Sequence, residues 1–235
     1  MTIGNIIVLS GAGISQESGL ATFRDSDGEW SRVRLEDVAT PEGYRRDPAR
    51  VHAFYNARRQ QLGQVKPNAA HFALARLEES WPGQMLVVTQ NIDDLHERAG
   101  TKALIHMHGE LNKARCDLCG SIAPWSGDLN QQSHCGDCRQ AGHLRPHVVW
   151  FGEIPLEMGR ISKALNQCHL FVAVGTSGNV YPAAGFVSQV RSRPGTRTVE
   201  LNLLPSEGAS LFAEANYGPA SEVVPAFVDH LLNSL

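Results

Sequence analysis

No apolar run in the chain approaches the roughly 20 residues a membrane helix needs. No excess charge of either sign is present, since 21 basic and 24 acidic residues leave a net charge of −3. The first lack argues against a membrane partner. The second removes the usual footprint of a nucleic-acid binder and of an acidic solvating tail. Charged residues make up only 19% of the 235 positions, below the usual share of about a quarter. That scarcity argues against a disordered chain, and a hydrophobic fraction of 42% is ample for a core. Internal repeats and low-complexity tracts are missing, and the opening MTIGNIIVLSGAG has neither a charged leader region nor Arg/Ser-rich transit character. The expectation is a soluble, cytoplasmic, monomeric globular protein with one main core and an inserted module.

Cysteine is present in an awkward number. Five residues fit a disulfide framework poorly. Four of them pair as Cys116-x2-Cys119 and Cys135-x2-Cys138 with fifteen residues between the pairs, and Cys168 stands alone. Each C-x2-C turn presents two thiolates on one side of a tight knuckle, which suits tetrahedral zinc. Four thiolates leave no open coordination position, so the zinc (one ion) would be structural. Three aspartates (Asp117, Asp128, Asp137) and no Lys or Arg lie between Cys116 and Cys138, the wrong sign for phosphate. Cys168, just before an apolar strand, reads as a small core residue.

The rest alternates between strand and helix patterns. Ile3 to Leu9 is a buried strand entering Gly11-Ala12-Gly13, and 24–34 is a polar loop. Asp47-Pro48 starts a helix ending near Gly63, and Asn68 caps a second over AAHFALARLEES. Strands are expected at Met85–Thr89, Leu104–His108, Leu170–Val174 and Arg197–Leu201, and helices before Gly100, at Ala183–Arg191 and from Pro225. This is an α/β pattern: a Rossmann-like doubly wound parallel sheet with a smaller inserted zinc-binding and helical module. The expected division gives 1–30, 66–112 and 144–235 to the Rossmann domain, and 31–65 (helical) and 113–143 (zinc ribbon) to the small domain.

Gly11-Ala12-Gly13 after a strand can bring backbone N–H groups to a pyrophosphate, although an ordinary tight turn is the competing reading. The spacing to Gly19 and the irregular FRDSDGEW differ from the hydride-transfer arrangement. Polar clusters at Gln90-Asn91-Ile92-Asp93, His108-Gly109-Glu110 and Gly175-Thr176-Ser177 also end strands, where ligands sit in an open α/β sheet. Each alone could be turn chemistry. His108 is the best general-base candidate. Tyr55 and Arg58 are i and i+3 on the first long helix, so they share a face that can grip a carboxylate. A solvated basic face, with Arg45, Arg46, Arg50 and Arg59 nearby, is the alternative from spacing alone.

GAGISQESGLATFR (11–24), TQNIDDLHERAG (89–100), HMHGEL (106–111), the paired C-x2-C, RPHVVWFGE (145–153), VGTSGNVYPAAG (174–185) and ELNLLPSEG (200–208) together resemble the sirtuins over nearly the whole chain. Leu20-Ala21 departs from the family's usual Ile-Pro or Val-Pro. The resemblance implies an NAD-dependent protein-lysine deacylase acting on acyl-lysine proteins or peptides. By motif, Gly11, Ala12, Gly13, Ile14, Ser15, Phe23, Arg24 and Trp30 would wrap the NAD phosphates and nicotinamide ribose. Gln90, Asn91, Ile92 and Asp93 would form the ribose and nicotinamide pocket. Gly175, Thr176, Ser177, Asn202, Leu203, Leu204 and Ala220 would hold phosphate and the adenosine side. Val148, Phe151, Gly152 and Val180 would clamp the peptide as an added strand. His108 would act as general base on a ribose hydroxyl, giving free lysine, nicotinamide and 2′-O-acyl-ADP-ribose. Tyr-x-x-Arg at 55–58 looks like the class III members, which remove succinyl and malonyl groups, so removal of succinyl, malonyl and acetyl groups is expected. Competing readings are an oxidoreductase with structural zinc, a zinc-ribbon interaction module and a mono-ADP-ribosyl transferase.

Overall fold

Strand β1 (Asn5–Ser10) is apolar on both faces because it lies at the centre of a sheet covered on both sides. With side chains alternating along a strand, Ile6 and Val8 enter one core cluster while Ile7 and Leu9 enter another. Residues 4–20 and 34–235 are described in the computed structural model of the chain. Strands β2 (Met85–Thr89) and β3 (Leu104–His106) run parallel to β1 on one side. Three later strands extend the sheet on the other side. The order through the sheet is therefore β3-β2-β1, followed by Cys168–Val174, Arg197–Asn202 and Glu214–Tyr217, all parallel. The direction of winding reverses between β1 and the strand at Cys168–Val174. In such sheets, that switch point opens a crevice at the carboxyl ends of the strands.

Two helix layers cover the sheet. Short helix α1 (Gly13–Gln16) follows β1 directly, and α2 (Leu35–Val38), α3 (Pro41–Arg46) and α4 (Pro48–Leu62) come next in the chain. Helix α5 (Ala69–Ser80) places Ala70, Ala73, Leu74 and Leu77 in the cluster with Ile6 and Val8. Helix α6 (Leu95–Ala99) ends at Gly100 in the left-handed conformation. Helices α7 (Met158–Leu165) and α8 (Phe186–Arg191) cover the opposite face through Ile161, Leu165, Val187 and Val190. Helix α9 (Ala220–Asn233) packs beside α5 through Val224, Val228 and Leu231.

A second, antiparallel sheet is formed by β4 (Gly109–Cys116), β5 (Ile122–Pro124) and β6 (Leu144–Val148), with β4 in the middle. The parallel strands at Cys168–Val174, Arg197–Asn202 and Glu214–Tyr217 are β7, β8 and β9. Helix α4 is tied to this unit by Arg59, whose guanidinium donates to the Leu111 and Gly127 carbonyls and to Asn56 Oδ1. Val51, Phe54, Tyr55 and Leu62 of α4 share a core with Leu111, Val148 and Trp150.

Several expected boundaries differ. Cys168, expected just before an apolar strand starting at Leu170, is the first residue of β7. The strand expected to reach His108 stops at His106 because Met107 and His108 turn the chain into β4. Residues 183–185 form a 3₁₀ turn ahead of α8 instead of its first turn. Pro225 does not start the last helix but sits inside it. A proline there lacks one N–H and crowds the preceding turn, yet Val224 and Val228 on either side are fully buried and hold the helix in place.

Asn68 links two elements. Its side-chain oxygen caps α5 by accepting from Ala70 N at 3.0 Å, and its Nδ2 donates to the Ile14 carbonyl at 2.7 Å and Ser18 Oγ at 3.0 Å. Asn68→Ala should cost about 1–2 kcal/mol, read as a thermal midpoint lowered by about 2–8 °C for a domain this size. An unchanged midpoint would show that the cap is not used.

Candidate active site

The turn after β1 meets the turn after β7 backbone to backbone. A Cβ on Gly13 would stand 2.8 Å from Gly175 Cα. Gly175 itself has φ +60, and a Cβ there would stand 2.4 Å from Ile14 N. Gly11 N donates to the Val174 carbonyl at 2.9 Å and Gly13 N to the Gly175 carbonyl at 2.9 Å. Ile14 N and Ser15 N close onto Gly11 and Ala12 carbonyls. The glycines thus serve close packing of two loops. Among the described residues, the amides of Ala12, Thr176 and Ser177 have no backbone acceptor, and they are the donors this edge offers to an anion.

Beneath the turn lies a buried polar network. Asn91 Nδ2 donates to the Gly11 carbonyl and to Ser15 Oγ, both at 3.1 Å. Ser15 Oγ donates to Asp93 Oδ2 at 3.0 Å, while Asp93 Oδ1 accepts from Leu95 N at 3.1 Å. Burial raises the Asp93 carboxyl, and the bonds from Leu95 and Ser15 oppose that. Ile92 turns away to pack on the α4 core, its carbonyl accepting from Leu111 N. Beside the network, His108 Nδ1 lies 3.1 Å from the Gln90 carbonyl. A carbonyl can only accept, so Nδ1 carries the proton and Nε2 presents its lone pair. Burial lowers the His108 pKa, which keeps the ring neutral near pH 7.

Gln90, Thr176 and Val180 line one cleft with Leu9, Gly178 and Phe212. Asn202 Nδ2 donates to the Thr176 carbonyl at 2.7 Å and its Oδ1 accepts from Leu203 N, joining the end of β8 to the β7 turn. Leu203 and Leu204 are exposed. Ala220 is buried at the start of α9, and the adjacent Ser221 amide donates to Glu17 at the end of α1. Ser177 Oγ accepts from Asn179 N. Val148 is buried, Phe151 and Tyr181 are exposed, and Gly152 has φ +89. Phe23, Arg24 and Trp30 lie outside the described residues.

Two contributors escape the sequence reading. Glu200, fully buried on β8, accepts from Tyr217 OH at 2.9 Å and from Ser206 N at 3.3 Å, bracing the loop that lines the cleft. Only its acidic character inside an apolar strand signals it. His106 bonds both Asn91 and Glu97, and its signal is the alternation that sets residues 106 and 108 two apart at a strand end.

Tyr55 is buried, and its oxygen accepts from Trp150 Nε1 at 3.0 Å, leaving the phenolic hydrogen to donate. Burial pushes its pKa up to about 12, so the phenol stays protonated. Arg58 lies across the Phe54 ring at 5.7 Å, and burial lowers its pKa while Tyr55 and Asp93 oppose the shift. Trp150 is itself fixed. Arg145 stacks 3.2 Å from its ring and holds Glu153 through bonds of 2.8 and 2.9 Å, and Glu153 accepts from Trp150 N.

The four cysteines form the candidate metal centre. Their sulfur atoms all lie within 4.8 Å of one another and none is in a disulfide. Cys116 and Cys138 sulfurs are 3.8 Å apart, and Cys119 and Cys135 sulfurs 3.6 Å. Tetrahedral zinc with bonds of about 2.3 Å separates its sulfurs by about 3.8 Å, so the set fits a structural zinc. Both knuckles close alike: Gly120 N donates to the Cys116 carbonyl at 2.8 Å and Arg139 N to the Cys135 carbonyl at 3.0 Å, with Gly120 and Arg139 both at positive φ. Cys168 is buried away from this group.

A family model described as "Sir2 family" matches residues 11–182. The chain is 58% identical over 232 residues to an NAD-dependent protein deacylase of Salmonella typhimurium, covering 98% of this chain and 85% of that protein. A protein of the same description from Pasteurella multocida is 55% identical, with 97% of each chain covered. A solved Sir2 homologue in complex with NAD superposes with a TM-score of 0.90 at 35% identity, covering 98% of this chain and 90% of that one. A Sir2 protein bound to acetylated peptide superposes with a TM-score of 0.80 at 27% identity, covering 96% and 92%.

Cys135→Ala should leave less than one zinc per chain by metal analysis and unfold the segment around 116–138, seen as loss of amide protection there. Retention of a full equivalent of zinc would refute the four-thiolate assignment.

Proposed function

The chain belongs to the Sir2 family and is an NAD-dependent protein deacylase; from that premise we propose that it removes succinyl and malonyl as well as acetyl groups from lysine. Nicotinamide and 2′-O-acyl-ADP-ribose are the accompanying products. The observation that carries the site assignment is His108: a half-buried, neutral imidazole whose Nδ1–H is committed to the Gln90 carbonyl, leaving Nε2 as a base at the crevice edge. NAD, when bound, supplies an electrophilic ribose carbon and a ribose hydroxyl that becomes the acyl acceptor.

The chain's own groups divide the work. The free amides of Ala12, Thr176 and Ser177 would receive the phosphates, helped by the tight meeting of Gly13 and Gly175. Gly11, Ile14, Ser15, Asn91 and Asp93 would shape the nicotinamide end, with Ile92 behind them on the α4 core, and Gln90 the cleft beside it. Asn202, Leu203, Leu204 and Ala220 would border the adenosine end, and Phe23, Arg24 and Trp30 would join the pocket by motif. His108 Nε2 would take the proton of the ribose hydroxyl. The exposed rims at Phe151–Gly152 and Val180–Tyr181 would hold an acylated peptide through backbone pairing, with Val148 behind them. Among the described residues, no helix is long and apolar enough to cross a membrane.

The acyl selection rests on Tyr55 and Arg58. A phenol with its oxygen already accepting from Trp150 can offer only its hydrogen, and a guanidinium offers only donors. A phenolic hydrogen and a guanidinium on one helix face are both donors, and a carboxylate, the group a succinyl or malonyl chain carries and an acetyl group lacks, can accept from both.

Arg58→Met should lower kcat/KM for a succinyl-lysine peptide by about 10- to 100-fold, as for a lost charge-assisted hydrogen bond, and change the acetyl-lysine value far less. Undiminished succinyl turnover would rule out the selector role. His108→Tyr should yield no O-acyl-ADP-ribose by mass spectrometry of the products while keeping its zinc. If products still form, His108 is not the base, and growth of reduced nicotinamide absorbance instead would favour an oxidoreductase.

A further inference from the structure

His106 stands two residues before His108 and is 92% buried on its side chain, given a relative exposure of 8%. Its two ring nitrogens both face acceptors. Nδ1 is 3.1 Å from the Asn91 carbonyl and Nε2 is 2.7 Å from Glu97 Oε1. A backbone carbonyl cannot donate, and neither can an ionised carboxylate. A neutral imidazole has one N–H and would satisfy only one partner while aiming a lone pair at the other. With Glu97 ionised, as its lowered pKa favours, meeting both contacts takes two ring protons.

We propose that His106 is a positioning residue of the deacylation reaction, acting as an imidazolium that ties the Asn91 carbonyl to Glu97 and so holds the turn that orients His108. The inference rests on the reading of His108 as the base. Consecutive carbonyls, Gln90 and Asn91, carry His108 and His106 respectively. The same Asn91 grips the glycine turn through its side chain, and Gln90 N is bonded to the Ser10 carbonyl. Freeing the Asn91 carbonyl would loosen the peptide on which the general base is aligned.

The charged and titratable surroundings support the cationic form. Burial alone would lower the His106 pKa, but the bond and charge of Glu97, the Asn91 carbonyl and Glu110 outweigh it and raise the value above the usual 6.5. From β4, Glu110 is ion-paired with Lys113 at 2.7 Å. From the turn before α6 come Asp93, paired with Ser15, and Asp94, which accepts from Asn112 and Arg98. From α6, His96 is buried, held well below 6.5 and bonded to Ser10, so it adds no charge near pH 7.

The signs for the two histidines are opposite. His108 must be neutral, so activity falls as pH drops through its folded pKa, which lies below 6.5. His106 must be charged, so activity falls as pH rises through its folded pKa, which lies above 6.5. A bell-shaped profile of kcat/KM for NAD follows.

Three proteins test this: the wild type, Glu97→Gln and His106→Gln, each with zinc bound and checked for an unchanged thermal midpoint. Glu97→Gln should move the alkaline limb down by about one pH unit, the effect of losing a neighbouring charge, and leave the acid limb in place. His106→Gln, whose amide can still donate to the Asn91 carbonyl but does not titrate, should be several-fold slower at neutral pH and show no alkaline limb. Side-chain ¹⁵N NMR should find both His106 nitrogens protonated at pH 7 in the wild type. An alkaline limb unmoved in Glu97→Gln, or a singly protonated His106 at pH 7, overturns the proposal. The NMR result is independent of turnover, so it stands apart from the His108→Tyr product test, on which the base assignment depends.

Discussion

The close meeting of two backbone turns, after β1 and after β7, is the constraint on which the rest of the molecule depends. The sheet reverses its winding between these strands, and the gap this opens is filled by peptide groups instead of side chains. Gly13 and Gly175 allow it because a Cβ on either would stand less than 3 Å from the other turn. That contact fixes α1, and α1 fixes Ser15, which orients Asp93 and Asn91. Asn68, at the head of α5, reaches back to the same turn through the Ile14 carbonyl. A single steric requirement therefore propagates into the polar network, the crevice and one of the two helix layers.

Burial then determines protonation across the site. His108 and His106 are two residues apart and both mostly enclosed, yet their charges differ because their partners differ. His108 faces one carbonyl and is pushed toward neutrality. His106 faces a carbonyl and a carboxylate, and the carboxylate reverses the effect of desolvation. A neutral base can thus stand next to a turn held by a cation without the two titrating together.

The proposed acyl end of the site is built on other elements. Tyr55 and Arg58 project from α4, which Arg59 joins to β4 and to the zinc-binding segment. Trp150, clamped by Arg145 and Glu153, fixes the phenol from the far side. Four thiolates leave a zinc no open coordination position, so the knuckles are structural. Among the described residues, the segment's buried cluster holds Ala114, Leu129 and Leu144 besides its own cysteines, with Trp125 packed against it.

Local and periodic features were legible in the sequence. Asp47-Pro48 and Asn68 mark helix starts, the unbroken apolar run of β1 marks a strand covered on both faces, and paired C-x2-C marks a four-sulfur site, because each acts within a few residues. Motif order carried the family and most of the polar clusters at the strand ends. Pro225 misplaced the start of α9 because packing against α5 overrode a local breaker. Which amides remained free at the glycine turn, which nitrogen of His108 carried the proton, and why His106 differed from it depended on distant partners, from Asn91 for His106, 15 positions away, to Gly175 for Gly13, 162 positions away. The sequence by itself determined the elements, the ligand set for zinc and the residue types at the crevice. Only the tertiary structure decided their protonation and orientation, since desolvation and hydrogen-bond partners exist only once distant segments have been packed together.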